Sequence, residues 1–133
     1  MHDIHQIAEL NLFAGWCGFF AGIVSGAWMG LFFHRDDWMG GYGSYRRRLT
    51  RLGHISFFGL GFINVMFGLS LRATHAADDR LAFISTCLLI GALTMPACCF
   101  LSAWRKPFRH FFFIPVSSLF LGVSGFLLNW GRL

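Results

Sequence analysis

Apolar positions in this chain fall into four long blocks separated by short polar stretches. The blocks run roughly from Leu10 to Phe33, Leu52 to Leu71, Leu81 to Trp104 and Phe111 to Trp130. Each has the length of about 20 residues that carries a helix across a bilayer. Inside the blocks the apolar residues are continuous rather than alternating, which argues for helices and against barrel strands. Backbone in hydrocarbon must close its own hydrogen bonds, and a helix does so within one segment. The connections are short, so the pattern predicts an all-α integral membrane protein, a single domain of four antiparallel spans in an up-down bundle. Little of the 133 residues is left for a soluble domain.

Composition strengthens this reading. Hydrophobic residues make up 56% and charged residues 13%, with a mean hydropathy of +0.58. A soluble domain carries about 25% charged residues. The N-terminal stretch "MHDIHQIAE" lacks a basic region and the first block is too long for a signal peptide, so retention is expected. Charge then sets orientation. Eight of the eleven Lys and Arg fall in the first and third connections, as Arg35, Arg46, Arg47, Arg48 and Arg51, then Arg105, Lys106 and Arg109. The other side keeps Arg72, Arg80 and Arg132 against Asp3, Glu9, Asp78 and Asp79. The positive-inside rule therefore places both termini on the non-cytoplasmic side of an inner or cytoplasmic membrane. Trp16, Trp104, Trp130 and Tyr45 stand near the expected interfaces, with Trp28 deeper. The Arg46–Arg51 loop reads as an orientation signal attracting anionic lipid headgroups, with an acidic protein partner second and nucleic acid not indicated.

The block interiors contain no Asp, Glu, Lys or Arg. Such residues mark proton relays and ion paths, so a proton-coupled transporter or channel is disfavoured. Cys17, Cys87, Cys98 and Cys99 lie inside the blocks without zinc or haem-attachment spacing. Met95, Cys98 and Cys99 share a helix face, where packing is the first reading and Cu(I) a distant second. No nucleophile–base pair, carboxylate dyad or metal motif points to an enzyme. A homo-oligomeric pore lacks a polar lumen face.

The histidines supply the one candidate for cofactor chemistry. His34, His54 and His110 lie near the expected cytoplasmic boundary, while His2, His5 and His75 lie opposite. In "LGHISFFGLGFINVMFGLSL", Phe57, Gly61, Asn64 and Gly68 fall within about 80° of His54 on a helix. A haem or chlorin on His54 would need a small residue two turns on, which Gly61 supplies, with His110 or His34 as second axial ligand. A quinone is a further reading of the same face. The structural reading is a hydrogen-bonded interfacial His on a helix-packing surface. The run "RLGHISFFGLGF" behind a basic loop resembles, over this one helix, the cofactor-bearing helices of respiratory membrane proteins. Asn64, read as the one amide in a span interior, is expected to bond across to another helix.

Small residues mark contact surfaces. Gly18, Gly22, Gly26 and Gly30 repeat every four residues, continuing upstream to Ala14, and Ser118 and Gly122 repeat the spacing later. Four residues turn about 400°, so the first stripe drifts about 160° from Ala14 to Gly30. That drift calls for a right-handed crossing or for two partners. Pro96 is expected to kink the third helix and to leave the Ala92 carbonyl to Thr94 or Ser102; Pro115 stands near the start of the fourth. The function expected is a small subunit of a larger membrane assembly, for instance an energy-transducing electron-transfer complex. The alternative is a stand-alone haem b or quinone protein.

Overall fold

The structure, a computed structural model, describes residues 4–73 and 80–130. His2, His75 and the Asp78–Asp79 turn lie outside the described residues. Four α-helices account for most of them: α1 (Ile4–Gly30), α2 (Tyr45–Ala73), α3 (Arg80–Trp104) and α4 (Phe113–Asn129). Short 3-10 segments precede α2, at Trp38–Gly40, and α4, at Lys106–Phe112. No strand occurs among the described residues. Counting its 3-10 lead, α4 belongs to a 24-residue apolar stretch, and each of the four is long and apolar enough to cross a membrane.

Boundaries depart from the hydrophobic blocks mostly at the polar ends. α1 starts at Ile4, six residues before its block, and stops at Gly30. Trp28 therefore stands one turn from a helix end, packed with Phe32 and Trp38 at 5.4 and 5.8 Å between ring centres. α2 begins at Tyr45, so Arg46, Arg47, Arg48 and Arg51 occupy its first two turns rather than a loop. The cause is a cap. Ser44 Oγ accepts from the Arg47 backbone N–H at 3.1 Å, the bond an N-cap serine makes to the third helical residue. The same hydroxyl donates to the Met39 carbonyl at 2.8 Å, where Met39, Gly40 and Gly41 turn the chain at φ of 57°, 87° and 91°. α3 continues as one helix through the buried Pro96. A Ser or Thr hydroxyl reaches the carbonyl three or four residues before it. Thr94 accordingly bonds Ile90 O at 2.6 Å, the Ser102 hydroxyl has no partner among the described residues, and neither serves Ala92.

The tightest packing joins α1 to α2. A Cβ built on Gly15 would lie 2.7 Å from the Gly61 carbonyl oxygen, and one on Gly61 would lie 2.9 Å from the Gly15 carbonyl oxygen. One on Gly68 would lie 2.7 Å from Ala8 O, and one on Gly18 would lie 3.0 Å from Phe57 O. Gly22 faces the Phe58 ring and Gly26 the His54 ring. As numbers rise along α1 they fall along α2, so backbone meets backbone at several levels. The seam on α1 reads Ala8, Asn11, Gly15, Gly18, Gly22 and Ser25, alternating three and four residues, with Gly26 beside Ser25 over the His54 ring. It faces His54, Gly61 and Gly68, which stand seven apart on α2.

This repeat corrects the four-residue stripe at its ends. Eleven residues, from Gly15 to Gly26, drift only about 20°, so one neighbour covers them. Ala14 turns toward α3 instead, and a Cβ on Gly30 would meet nothing within 4 Å. Gly30 packs against no neighbour among the described residues because α1 ends there.

The other helices add in sequence. Gly53 of α2 receives Cys99 and Phe100 of α3. Leu119 of α4 fills the space over Gly91 of α3, while Gly122 and Gly125 of α4 receive Leu88 and Ile84. Ser118, one turn before Gly122, is half-buried and makes no side-chain hydrogen bond among the described residues. Of the other three α-helices, as far as the described residues go, the α4 backbone approaches α3 alone, although Phe126 reaches Phe67 of α2 at 5.5 Å. The apolar core sits at the end remote from the Arg46–Arg51 run, around Ile7, Ala8, Phe67, Leu71, Leu81, Ile84 and Leu88.

Two neighbouring glycines of α2 test the seam. Gly61→Ala should destabilise the protein in mild detergent by about 1–3 kcal/mol, because its Cβ meets backbone that cannot step aside. Gly59→Ala, with nothing within 4 Å, should be neutral or gain up to about 1 kcal/mol from helix propensity. Thermal unfolding of the two variants distinguishes them; equal shifts would remove the close approach.

Candidate functional site

His54 stands on the α1-facing side of α2, about three turns from the start of that helix. Its Nδ1 lies 3.0 Å from Ser25 Oγ of α1, and Ser25 also donates to the Gly22 carbonyl at 3.0 Å. Phe58, one turn on, meets the imidazole edge-on at 5.4 Å and 83°. Gly26 lies over the ring so closely that a Cβ there would be 2.7 Å from Cε1. Glycine at 26 and serine at 25 are thus what let an imidazole sit between the two helices.

The face that joins His54 to Gly61 is therefore the face α1 covers. Gly61 looks onto the Gly15 carbonyl and the Phe19 ring, and Asn64 lies fully buried one turn further. The expected opening for a flat ring is filled by backbone. His34 and His110 are exposed, and neither shares a hydrogen bond or ring contact with His54. His34 follows the end of α1, and His110 belongs to the 3-10 lead into α4. The three histidines thus do not form one cluster, and no group of three or more His, Cys, Asp or Glu gathers among the described residues. Met95, Cys98 and Cys99 stay within α3: Cys98 Sγ approaches Phe111 O at 3.7 Å and Cys99 packs under Gly53.

Asn64 does not make the expected cross-helix bond. Its Nδ2 donates to Leu60 O of its own helix at 2.9 Å, and its Oδ1 has no hydrogen-bond partner among the described residues. The cross-helix amide is Asn11, which the longer α1 brings into the interior. Asn11 Nδ2 donates to Ile7 O and to Ser85 Oγ of α3. Both amides are 0% exposed, and the seam register sets them at one level. Asn129, buried at the end of α4, bonds back to Gly125 O at 2.8 Å. The signal for Asn11 was present as an amide three residues after Ala8 and four before Gly15, on the contact face.

Below the Asn11–Ser85 contact, α1 and α3 diverge and leave an apolar crevice floored by α2. Its volume is about 470 Å³. Ala14, Cys17, Gly18 and Ala21 line it from α1, Phe57, Leu60 and Gly61 from α2, and Leu89, Ala92 and Leu93 from α3. Gly18 and Gly61 thus border both the seam and the crevice. Cys17 is exposed, unlike the other three cysteines.

The arginine-rich end is more ordered than a solvated loop. Arg46 Nε donates to Ala103 O at 3.1 Å, satisfying a carbonyl in the last turn of α3. Arg47 is 5% exposed, and its guanidinium carbon lies 5.3 Å from the centre of Tyr42, 5.5 Å from Trp38 and 6.0 Å from Phe33. Arg51 lies 4.3 Å over Tyr42 and bonds its carbonyl at 3.4 Å. Arg48 makes no such contact among the described residues.

Compared with protein-family models, curated proteins and solved structures, the chain matches none. What stands is the class its own fold defines, an all-helical chain with four helices suited to a membrane.

The Ser25–His54 pair is open to a double-mutant cycle. Ser25→Ala and His54→Ala should each lower stability, with a coupling of about 0.6 kcal/mol and at most about 1.7. Strictly additive losses would mean that the two side chains do not bond.

Proposed function

We propose that the chain is a small integral subunit of a larger membrane protein assembly. In this reading four antiparallel spans form an up-down bundle in an inner or cytoplasmic membrane, with both ends on the non-cytoplasmic side. The length and apolarity of the helices support it, as does the opposed numbering of contacts between α1 and α2 and between α3 and α4. The concentration of arginine at one end supports the orientation.

The observation that carries the subunit reading is the crevice between α1 and α3. A dry gap of about 470 Å³ forfeits the dispersion contacts of its lining, so in a membrane it is filled. One wall is Ala14, Gly18 and Ala21, spaced so that a neighbouring helix can bring its backbone close, the means by which helices associate without a hydrophobic driving force. The occupant proposed is a helix of another subunit. An electron-transfer complex is one setting for such a part, in a non-catalytic role. The alternative, a haem b or quinone protein, would have to use His54 Nε2, which has no partner among the described residues. A purified chain without a Soret band is expected; a Soret band abolished by His54→Ala would favour the alternative.

Ala14→Leu combined with Ala21→Leu fills the crevice and leaves the α1–α2 seam alone. After mild-detergent extraction, wild-type chain should co-migrate with other subunits on a native gel, and the double variant should run as a small folded species. A single small species from wild-type membranes, or unchanged co-migration of the variant, would overturn the proposal.

A further inference from the structure

Arg47 has a chemical problem that the fold does not solve. It is 95% buried, yet its Nε has no hydrogen-bond partner, and no acceptor bonds its guanidinium among the described residues. The ion pair found among those residues is Arg72 with Glu9, a different end of α2. Three aromatic rings face the guanidinium, and cation–π attraction offsets part of its lost hydration. Rings accept poorly, however, and a guanidinium carries five N–H donors. A buried cation without an acceptor is costly enough that one is expected to be supplied.

The neighbourhood selects an anion over a neutral acceptor. Arg51 shares the Tyr42 ring with Arg47, their guanidinium carbons 4.3 and 5.3 Å from its centre, and no carboxylate pairs with either among the described residues. Asp36 and Asp37, on the same connection, are exposed and make no ion pair with either. Arg47 is also the third residue of α2, at the positive end of that helix, whose first turn holds no acidic residue. The planar fork of arginine matches phosphate bidentately. The tryptophan and tyrosine rings around it are of the kind that settle at headgroup depth.

We propose that Arg47 and Arg51, converging on Tyr42, hold a phosphate ester, and that its source is the headgroup of an anionic phospholipid. This rests on the membrane reading above and sharpens it from a diffuse attraction of the arginine run to one site with two named cations. Arg48 takes no part in it, and Arg46 is engaged at the end of α3.

The full chain in neutral detergent, titrated with phosphatidylglycerol and read by thermal unfolding, tests the site. Wild-type protein should gain stability saturably, and phosphatidylcholine should give little. Arg51→Gln and Arg47→Lys should each weaken the apparent affinity roughly tenfold or more, while Arg48→Gln stays within about twofold. Arg47→Lys keeps the charge, so its loss separates bidentate recognition from simple attraction. Arg51→Gln covers the case in which a change at the buried Arg47 impairs folding. Inorganic phosphate at equal phosphate concentration distinguishes the sources: a saturable response that Arg51→Gln removes keeps the site and assigns it to free phosphate. Equal loss in Arg48→Gln and Arg51→Gln would overturn the proposal, as would stabilisation by polyglutamate with none by either phosphate form. Carbonate extraction from vesicles tests membrane insertion separately, so an inserted chain indifferent to phosphate refutes the site alone.

Discussion

Everything else in this protein depends on how closely the backbones of α1 and α2 approach each other. Hydrocarbon offers no reward for burying leucine against leucine, so helices in it associate through dispersion contacts, hydrogen bonds and close backbone fit. A seam of Ala8, Gly15 and Gly22 against Gly61 and Gly68 gives that fit, with carbonyl oxygens where side chains would stand. Weak Cα–H···O contacts of the kind known at helix interfaces become available at this range. In lipid the usual glycine penalty in a helix matters less, because an unfolded backbone there has no water to turn to.

From the seam the rest follows in order. With side chains removed from the α1–α2 contact, the few polar groups on that face must be accommodated locally. Asn64 bonds its own helix, Asn11 reaches α3 through Ser85, and His54 finds Ser25. The Asn11–Ser85 bond ties α1 to α3 at one level, and beyond it the two helices stand apart on either side of α2. That separation creates the crevice. α4 lies outside this three-helix arrangement, leaning on α3 through Leu119, Leu88 and Ile84.

Much of the fold was legible in the order of residues. Continuous apolar blocks identified the four helices, and α3 begins and ends within a residue of its block. Boundaries at the basic end were less legible, because helix α2 starts from a serine cap just before a run of arginines. Hydropathy alone assigns such a run to a loop. The glycine spacing was visible but its period was misleading: four-residue repeats are easy to see, whereas the contact follows threes and fours through Ala8, Asn11 and Ser25. His54 and Gly61 did lie on one face, and that face proved to be occupied by another part of the chain. A single helix cannot reveal whether its small residues await a cofactor or a neighbour. The aromatic enclosure of Arg47 was not legible, since it needs Phe33, Trp38 and Tyr42 brought around a turn with three positive φ angles.

A leucine scan of α1 from residue 8 to 26, read as unfolding temperature in mild detergent, tests the seam most directly. The account predicts losses that recur every seven residues at Ala8, Gly15 and Gly22, with further losses at Asn11, Gly18, Ser25 and Gly26, while Ala14 and Ala21 remain tolerant. Losses recurring every four residues at Ala14, Gly18, Gly22 and Gly26, with Ala8 and Gly15 silent, would contradict it.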